Sequence, residues 1–133
     1  MPNPTQFSLS QIGQISVNAH DLDRAIAFYR DALGIKHLFT VPKMAFFDCG
    51  GIRLMLAIPE RSDLDHPSSI LYFKVPDIQK AYETLQSRGV HFANKPILVA
   101  PMATHDLWLV EFRDSENNVL ALMSEVPKKI GGL

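Results

Sequence analysis

Apolar and polar residues alternate cleanly near the start of the chain. Over Ile12–Ala19, Ile15, Val17 and Ala19 point one way and Gln14, Ser16 and Asn18 the other, the period of a half-buried strand. The pattern then turns helical. Leu22, Ala25, Ile26, Tyr29 and Leu33 recur at i, i+3, i+4 spacing, which places them on one stripe. Asp21 is the predicted N-cap, and Gly34 suits the left-handed residue that ends the helix. Short strands are predicted at Lys36–Thr40, Met44–Cys49 and Ile52–Ile58, the last two joined by the turn Gly50-Gly51.

The same order then returns. Leu71, Phe73 and Val75 alternate with Ile70, Tyr72 and Lys74. Asp77 caps a helix that turns Ile78, Ala81, Tyr82 and Leu85 inward and stops at Gly89. Strands are predicted near Val90–Ala93, Leu107–Arg113 and Val119–Ser124. Asp21 and Ala25 recur 56 residues later as Asp77 and Ala81, and Phe46 and Asp48 recur 66 residues later as Phe112 and Asp114. Repetition near half the chain length means two copies of one supersecondary unit. The predicted fold class is α+β, with two tandem βαβββ modules in a single domain. Module one covers about 12–58, a polar linker 59–67, module two about 68–126 and a tail 127–133. About eight strands would form a cupped mixed sheet, helices on one face and the other face concave.

At 133 residues, 47% hydrophobic and 20% charged, the chain has the makeup of one globular domain with a core of its own. A net charge of −1 offers no basic surface for nucleic acid or anionic lipid. No apolar run approaches the roughly 20 residues of a membrane span. The lone Cys49 cannot form an internal disulfide, which suits a reducing cytoplasm. The opening residues lack the charged-then-apolar order of a signal peptide. Cytoplasmic localisation is the expectation.

The stretches "ISVNAHDLDRAIAFYRDALGI" and "VEFRDSENNVLALM" resemble the vicinal oxygen chelate superfamily of glyoxalase I, bleomycin-resistance proteins, methylmalonyl-CoA epimerase and extradiol dioxygenases. The resemblance spans about Ile12–Val126. It implies paired βαβββ modules, a cupped sheet around a small-molecule site and a homodimer. Metal-dependent members place ligands on the first and last strand of each module. Those positions fall on Gln14, Met55, Ile70 and Ala121 here, and only Gln14 carries a donor oxygen. No hard cation is held by such a set, so the divalent metal site is read as lost and no cofactor is expected.

The alternation supplies the other site candidates. Gln14, Ser16 and Asn18 line the polar face of the first strand. Arg53 shares a face with Met55 and is a candidate for an anionic ligand. Tyr72 and Lys74 extend the cup in module two; Tyr72 offers a ring and a hydroxyl to a flat ligand. His105, Leu107, Leu109 and Glu111 share one face of the seventh strand. Glu111 is either a base or the partner of Arg53, and His105 either a proton carrier or a strand-start histidine. Trp108 lies against the helices or under the ligand; the pattern leaves both open. His20, His37, His66 and His91 read as surface residues. Two functions compete. One is metal-free binding of a small, partly anionic organic molecule, for sequestration or resistance. The other is a lyase, isomerase or epimerase, or dioxygenase of glyoxalase type, metal-free or with displaced metal ligands such as His105, Glu111 and Gln14.

Overall fold

The computed structural model describes residues 7–128. Residues 129–133, most of the predicted tail, lie outside them. Module one contains β1 (Gln14–Asn18), α1 (Leu22–Ala27), β2 (Lys36–Val41), β3 (Met44–Cys49) and β4 (Ile52–Ala57). A single π-helical turn, Phe28–Ala32, extends α1. Module two contains β5 (Leu71–Lys74), α2 (Ile78–Ser87), β6 (Ile97–Pro101), β7 (His105–Arg113) and β8 (Val119–Pro127).

The helix caps follow from local chemistry. The Asp21 carboxylate accepts from Arg24 N at 3.1 Å, and Asp77 repeats this with Lys80 N at 3.0 Å. Gly34 and Gly89 take φ of +72° and +89°, conformations that side chains with a Cβ resist. In each module the first strand runs parallel to the last, the helix crosses from the first strand to the second at the opposite edge, and the remaining pairings are antiparallel. The strand orders are β1-β4-β3-β2 and β5-β8-β7-β6. No ladder joins β1 to β5 among the described residues, so the eight strands form two four-stranded sheets and not one continuous sheet.

The sixth strand departs from expectation. Val90–Ala93 forms no strand; the strand paired with β7 is Ile97–Pro101. Val90 and Phe92 do alternate inward, but from a loop. Val90 is buried, and Phe92 meets the Tyr82 and Phe112 rings at 4.7 and 5.4 Å. The strand that pairs is an edge strand with Ile97, Leu98 and Val99 all exposed, so it carries no alternation to read.

The core lies between each sheet and its helix. Ala25, Ile26 and Tyr29 of α1 pack with Val17, Phe47, Leu54 and Leu56. Ile78, Tyr82 and Leu85 of α2 pack with Val110, Phe112, Leu120 and Leu122. The modules are joined by buried polar chemistry. Asp114, in the β7–β8 turn, accepts from the Tyr29 hydroxyl at 2.6 Å and from Glu116 N, Asn118 N and Asn118 Nδ2 at 2.8 Å each. Glu116 accepts from His20 N and Asp21 N at 2.8 Å and from Arg24 Nε at 2.7 Å, over the start of α1. The turn of module two thus locks onto the helix of module one.

Candidate functional site

The helix-free face of sheet one collects the residues that the alternation assigned to it. Gln14 stands opposite Arg53 in the β1–β4 ladder, and Ser16 opposite Met55. Their neighbours Val17, Leu54 and Leu56 are buried on the other side. A cavity of about 390 Å³ opens on this face, lined by Ser16, Asn18, Met44 and Met55 and bounded by Leu64 and His66 of the linker.

The linker was not legible as part of the site. It folds back over the cup and is tied there by Asn18. The Asn18 amide nitrogen donates to Leu64 O at 2.9 Å and His66 O at 2.8 Å, and its backbone N–H donates to Ser68 Oγ at 3.1 Å. Its own carbonyl accepts from Asn118 Nδ2 at 2.8 Å. Asn18 therefore holds the wall of the cavity, with only its Oδ1 left for a ligand. The sequence signal was the short Ser62–Leu64 turn between Pro59 and Pro67, which by itself says nothing about docking.

Beside the cavity, Arg53 Nε donates to Gln14 Oε1 at 2.7 Å. Gln14 Nε2 in turn lies 3.8 Å from Met55 Sδ. The Arg53 guanidinium sits 5.3 Å from the centroid of the Phe46 ring, which stacks on Phe39 at 4.6 Å. Its two terminal nitrogens have no partner among the described residues. The pairing of Arg53 with Glu111 considered above does not form, because the two residues belong to separate sheets and Gln14 takes the Arg53 Nε.

Module two presents a second polar face. Tyr72 and Glu111 flank Ala121 in the β5-β8-β7 ladder, and Tyr72, Lys74 and Glu111 are all exposed. His105 begins β7, six residues from Glu111, or about 20 Å along an extended strand. Its Nδ1 lies 2.8 Å from Thr104 Oγ1. These two residues are not brought together. Trp108 takes the helix side: it packs against the core and borders a cleft with Ile78 and Gln79 of α2. Among the four histidines read as surface residues, His20 pairs with Asp65 at 2.9 Å, and His37 is half-buried, its ring against Phe47 at 5.2 Å.

The four positions of the metal-ligand pattern hold an amide, a thioether and two hydrocarbons. Ile70 is exposed and Ala121 fully buried. No three His, Cys, Asp or Glu side chains converge among the described residues. This donor set does not fit a divalent ion. No helix of the described residues is long and apolar enough to cross a membrane.

The fold and the two cupped sheets define a class, and comparison with known proteins gives its family. The model of the Glyoxalase/Bleomycin resistance protein/Dioxygenase superfamily matches residues 11–125. The chain belongs to that superfamily. It is 29% identical over 128 residues to YraH of Bacillus subtilis, a match covering 82% of this chain and 94% of YraH. Among solved structures, a Salmonella typhimurium virulence protein superposes with a TM-score of 0.75 at 18% identity, covering 90% of this chain and all of that one (100%). A lactoylglutathione lyase from Agrobacterium tumefaciens superposes with a TM-score of 0.70 at 21% identity, covering 88% of this chain and 95% of that one. These structural likenesses carry the fold.

Proposed function

We propose that this protein binds a small, partly anionic organic molecule in the cup of module one without a metal ion, as a sequestering or resistance protein of its superfamily. One observation carries the reading. Arg53 is held by Gln14 and Phe46 beside Met55, which lines a cavity of about 390 Å³, and its terminal nitrogens are unpaired among the described residues. A guanidinium fixed in this way suits a carboxylate or phosphonate, which it can engage through two parallel hydrogen bonds. Met44, Met55 and Leu64 supply adaptable apolar surface for the remainder of the ligand. We further propose a cytoplasmic homodimer, in which Tyr72 and Lys74 of a second copy close the cup. A thermal-shift screen of aryl carboxylates and phosphonates tests this, with Arg53→Ala as the control. Stabilisation of the native protein that Arg53→Ala abolishes is expected; hits that ignore Arg53 overturn the reading. Elemental mass spectrometry after expression with zinc, nickel, manganese and iron is expected to find no stoichiometric ion.

A second reading rests on Glu111. It makes no ion pair among the described residues and stands two strands from Tyr72 on the same face, across Ala121 of β8. A free carboxylate facing the same way as a phenol about 10 Å across the sheet is suited to proton transfer on a substrate held between them, in a lyase or isomerase reaction. Glu111→Gln separates the two readings, because it removes turnover and leaves binding at Arg53 intact.

A further inference from the structure

We infer that a second ligand site lies on the opposite side of the molecule from the cup, between the helix of module two and the end of the helix of module one, and that it takes an amphipathic monocarboxylate of fatty-acid type. A cavity of about 360 Å³ opens there. Its walls are Leu33 and Ile35 from module one and Phe73, Leu85, Phe112 and Leu122 from module two. Pockets of about 300–1,000 Å³ lined mainly by hydrocarbon, with few polar groups, are the usual form of small-molecule sites.

The sequence keeps this space open. α2 turns Ala81 and Thr84 toward it, one turn apart between the larger Asp77 and Leu85. The Thr84 hydroxyl is already bonded to Lys80 O at 2.8 Å, so it adds no free polar group to the wall.

The rim gives the ligand its charge. Lys80 and Thr84 on one edge of α2 and Arg88 at its C-cap fall at i, i+4 and i+8, about 12 Å from end to end at 1.5 Å per residue. Neither Lys80 nor Arg88 makes an ion pair among the described residues. Arg88 reaches across to module one, where its Nη1 donates to Ala32 O at 3.1 Å. One donor is thus used to orient the guanidinium, and the others remain. Asp77, the one acid of the lining, has Oδ1 occupied by Lys80 N as the helix cap and sits at the far end from Arg88. The polarity of the groove therefore runs from a cationic mouth at Arg88 to hydrocarbon at Phe73 and Val75. A carboxylate at Arg88 with an alkyl chain along α2 matches it.

Calorimetric titration of the native protein with decanoate, and with decyltrimethylammonium as the cationic counterpart, tests this site. Saturable decanoate binding, favoured over the cation by about tenfold or more, is the expected result. Ala81→Phe fills the cavity and is expected to weaken decanoate about tenfold or more. Arg88→Ala, an exposed position that leaves the core untouched, is expected to weaken it about fivefold. Arg53→Ala, which disables the cup, is expected to leave a decanoate-binding event at the second site with its affinity intact. The proposal is overturned if decanoate does not bind, if the cation binds equally well, or if both Ala81→Phe and Arg88→Ala leave the affinity as it was. It is equally overturned if Arg53→Ala alone removes binding, since the chain would then occupy the cup.

Discussion

The Tyr29 hydroxyl donates to Asp114 Oδ2 across 2.6 Å in the buried seam between the modules, joining residues 85 positions apart. Tyr29 has no exposed surface, and its phenol is held far above its ordinary range, by burial first and then by the negative charge of Asp114. The helix of module one is therefore anchored to the turn of module two by a charge-assisted hydrogen bond. Tyr29→Phe removes only the hydroxyl and leaves Asp114 with three other donors. A loss of about 1.5–3 kcal/mol is expected from urea denaturation, the range for a hydrogen bond to a charged group. The repeat supplies an internal control. Asp48 occupies the corresponding position in module one, but it is exposed, and among the described residues its side chain accepts only from Gly51 N at 3.2 Å. Asp48→Asn should cost well under half as much as Asp114→Asn.

Glu116 should make the protein acid-sensitive. Burial raises its pKa, but the hydrogen bonds from Arg24, from the backbone of Asp21 and His20 and from the Ser115 hydroxyl outweigh burial and bring it down to about 2. A carboxylate with a depressed folded pKa stabilises the fold above its unfolded value and loses that contribution as pH falls. The window here runs from an unfolded value of about 4.5 down to about 2. The Glu116 side chain is 2% exposed, but Arg24 is 56% exposed, so solvent screens part of the pair. Glu116→Gln is expected to cost about 2 kcal/mol at neutral pH. That difference should narrow steadily below pH 4.5 in denaturation curves. A difference that stays constant down to pH 3 would assign the loss to packing and not to charge.

Local chemistry explains what was legible in the sequence. The caps at Asp21 and Asp77, the alternation of β1 and the β3–β4 hairpin each rest on residues close together in the chain, and each stands where its pattern placed it. The misplaced sixth strand shows the limit. Val90 and Phe92 alternate like a strand because Val90 is buried and Phe92 half-buried against the core, but burial from a loop and burial from a ladder leave the same mark on a sequence. The facing of Trp108 and the docking of the linker were equally out of reach. Each depends on a partner far along the chain, α2 for Trp108 and Asn18 for Leu64 and His66. The polar seam of Tyr29, Asp114, Glu116 and Asn118 belongs to the same class. Its residues spell a turn and a helix stripe, and nothing local says that they meet.

Asn18 should govern the linker. Its side chain donates two hydrogen bonds to linker carbonyls, and Ser68 adds a third contact through the Asn18 backbone. Asn18→Ala removes the first two only. Net hydrogen bonds of about 1 kcal/mol each give an expected local loss of about 2 kcal/mol. Because the loss is local, hydrogen exchange is the suitable measurement. Amides around residues 60–68 should exchange about tenfold faster or more, while those of β7 and β8 keep their protection. Proteolysis of the native protein should shift to the same segment.

Arg53 is the position where binding and stability separate most clearly. Its guanidinium is exposed and held by one hydrogen bond and one aromatic face, so Arg53→Ala should change stability by no more than about 0.5 kcal/mol. A carboxylate or phosphonate that uses its terminal nitrogens should lose about tenfold or more in affinity. Arg53→Lys keeps the charge but not the planar fork, and it cannot both hold Gln14 and engage an anion through two parallel bonds. Its affinity should fall between those of the native protein and Arg53→Ala. Calorimetry on the three proteins with one hit from the screen decides the matter. Full rescue by lysine would mean that the cup reads charge alone. An intermediate value would mean that it reads the geometry that Gln14 and Phe46 impose on the guanidinium.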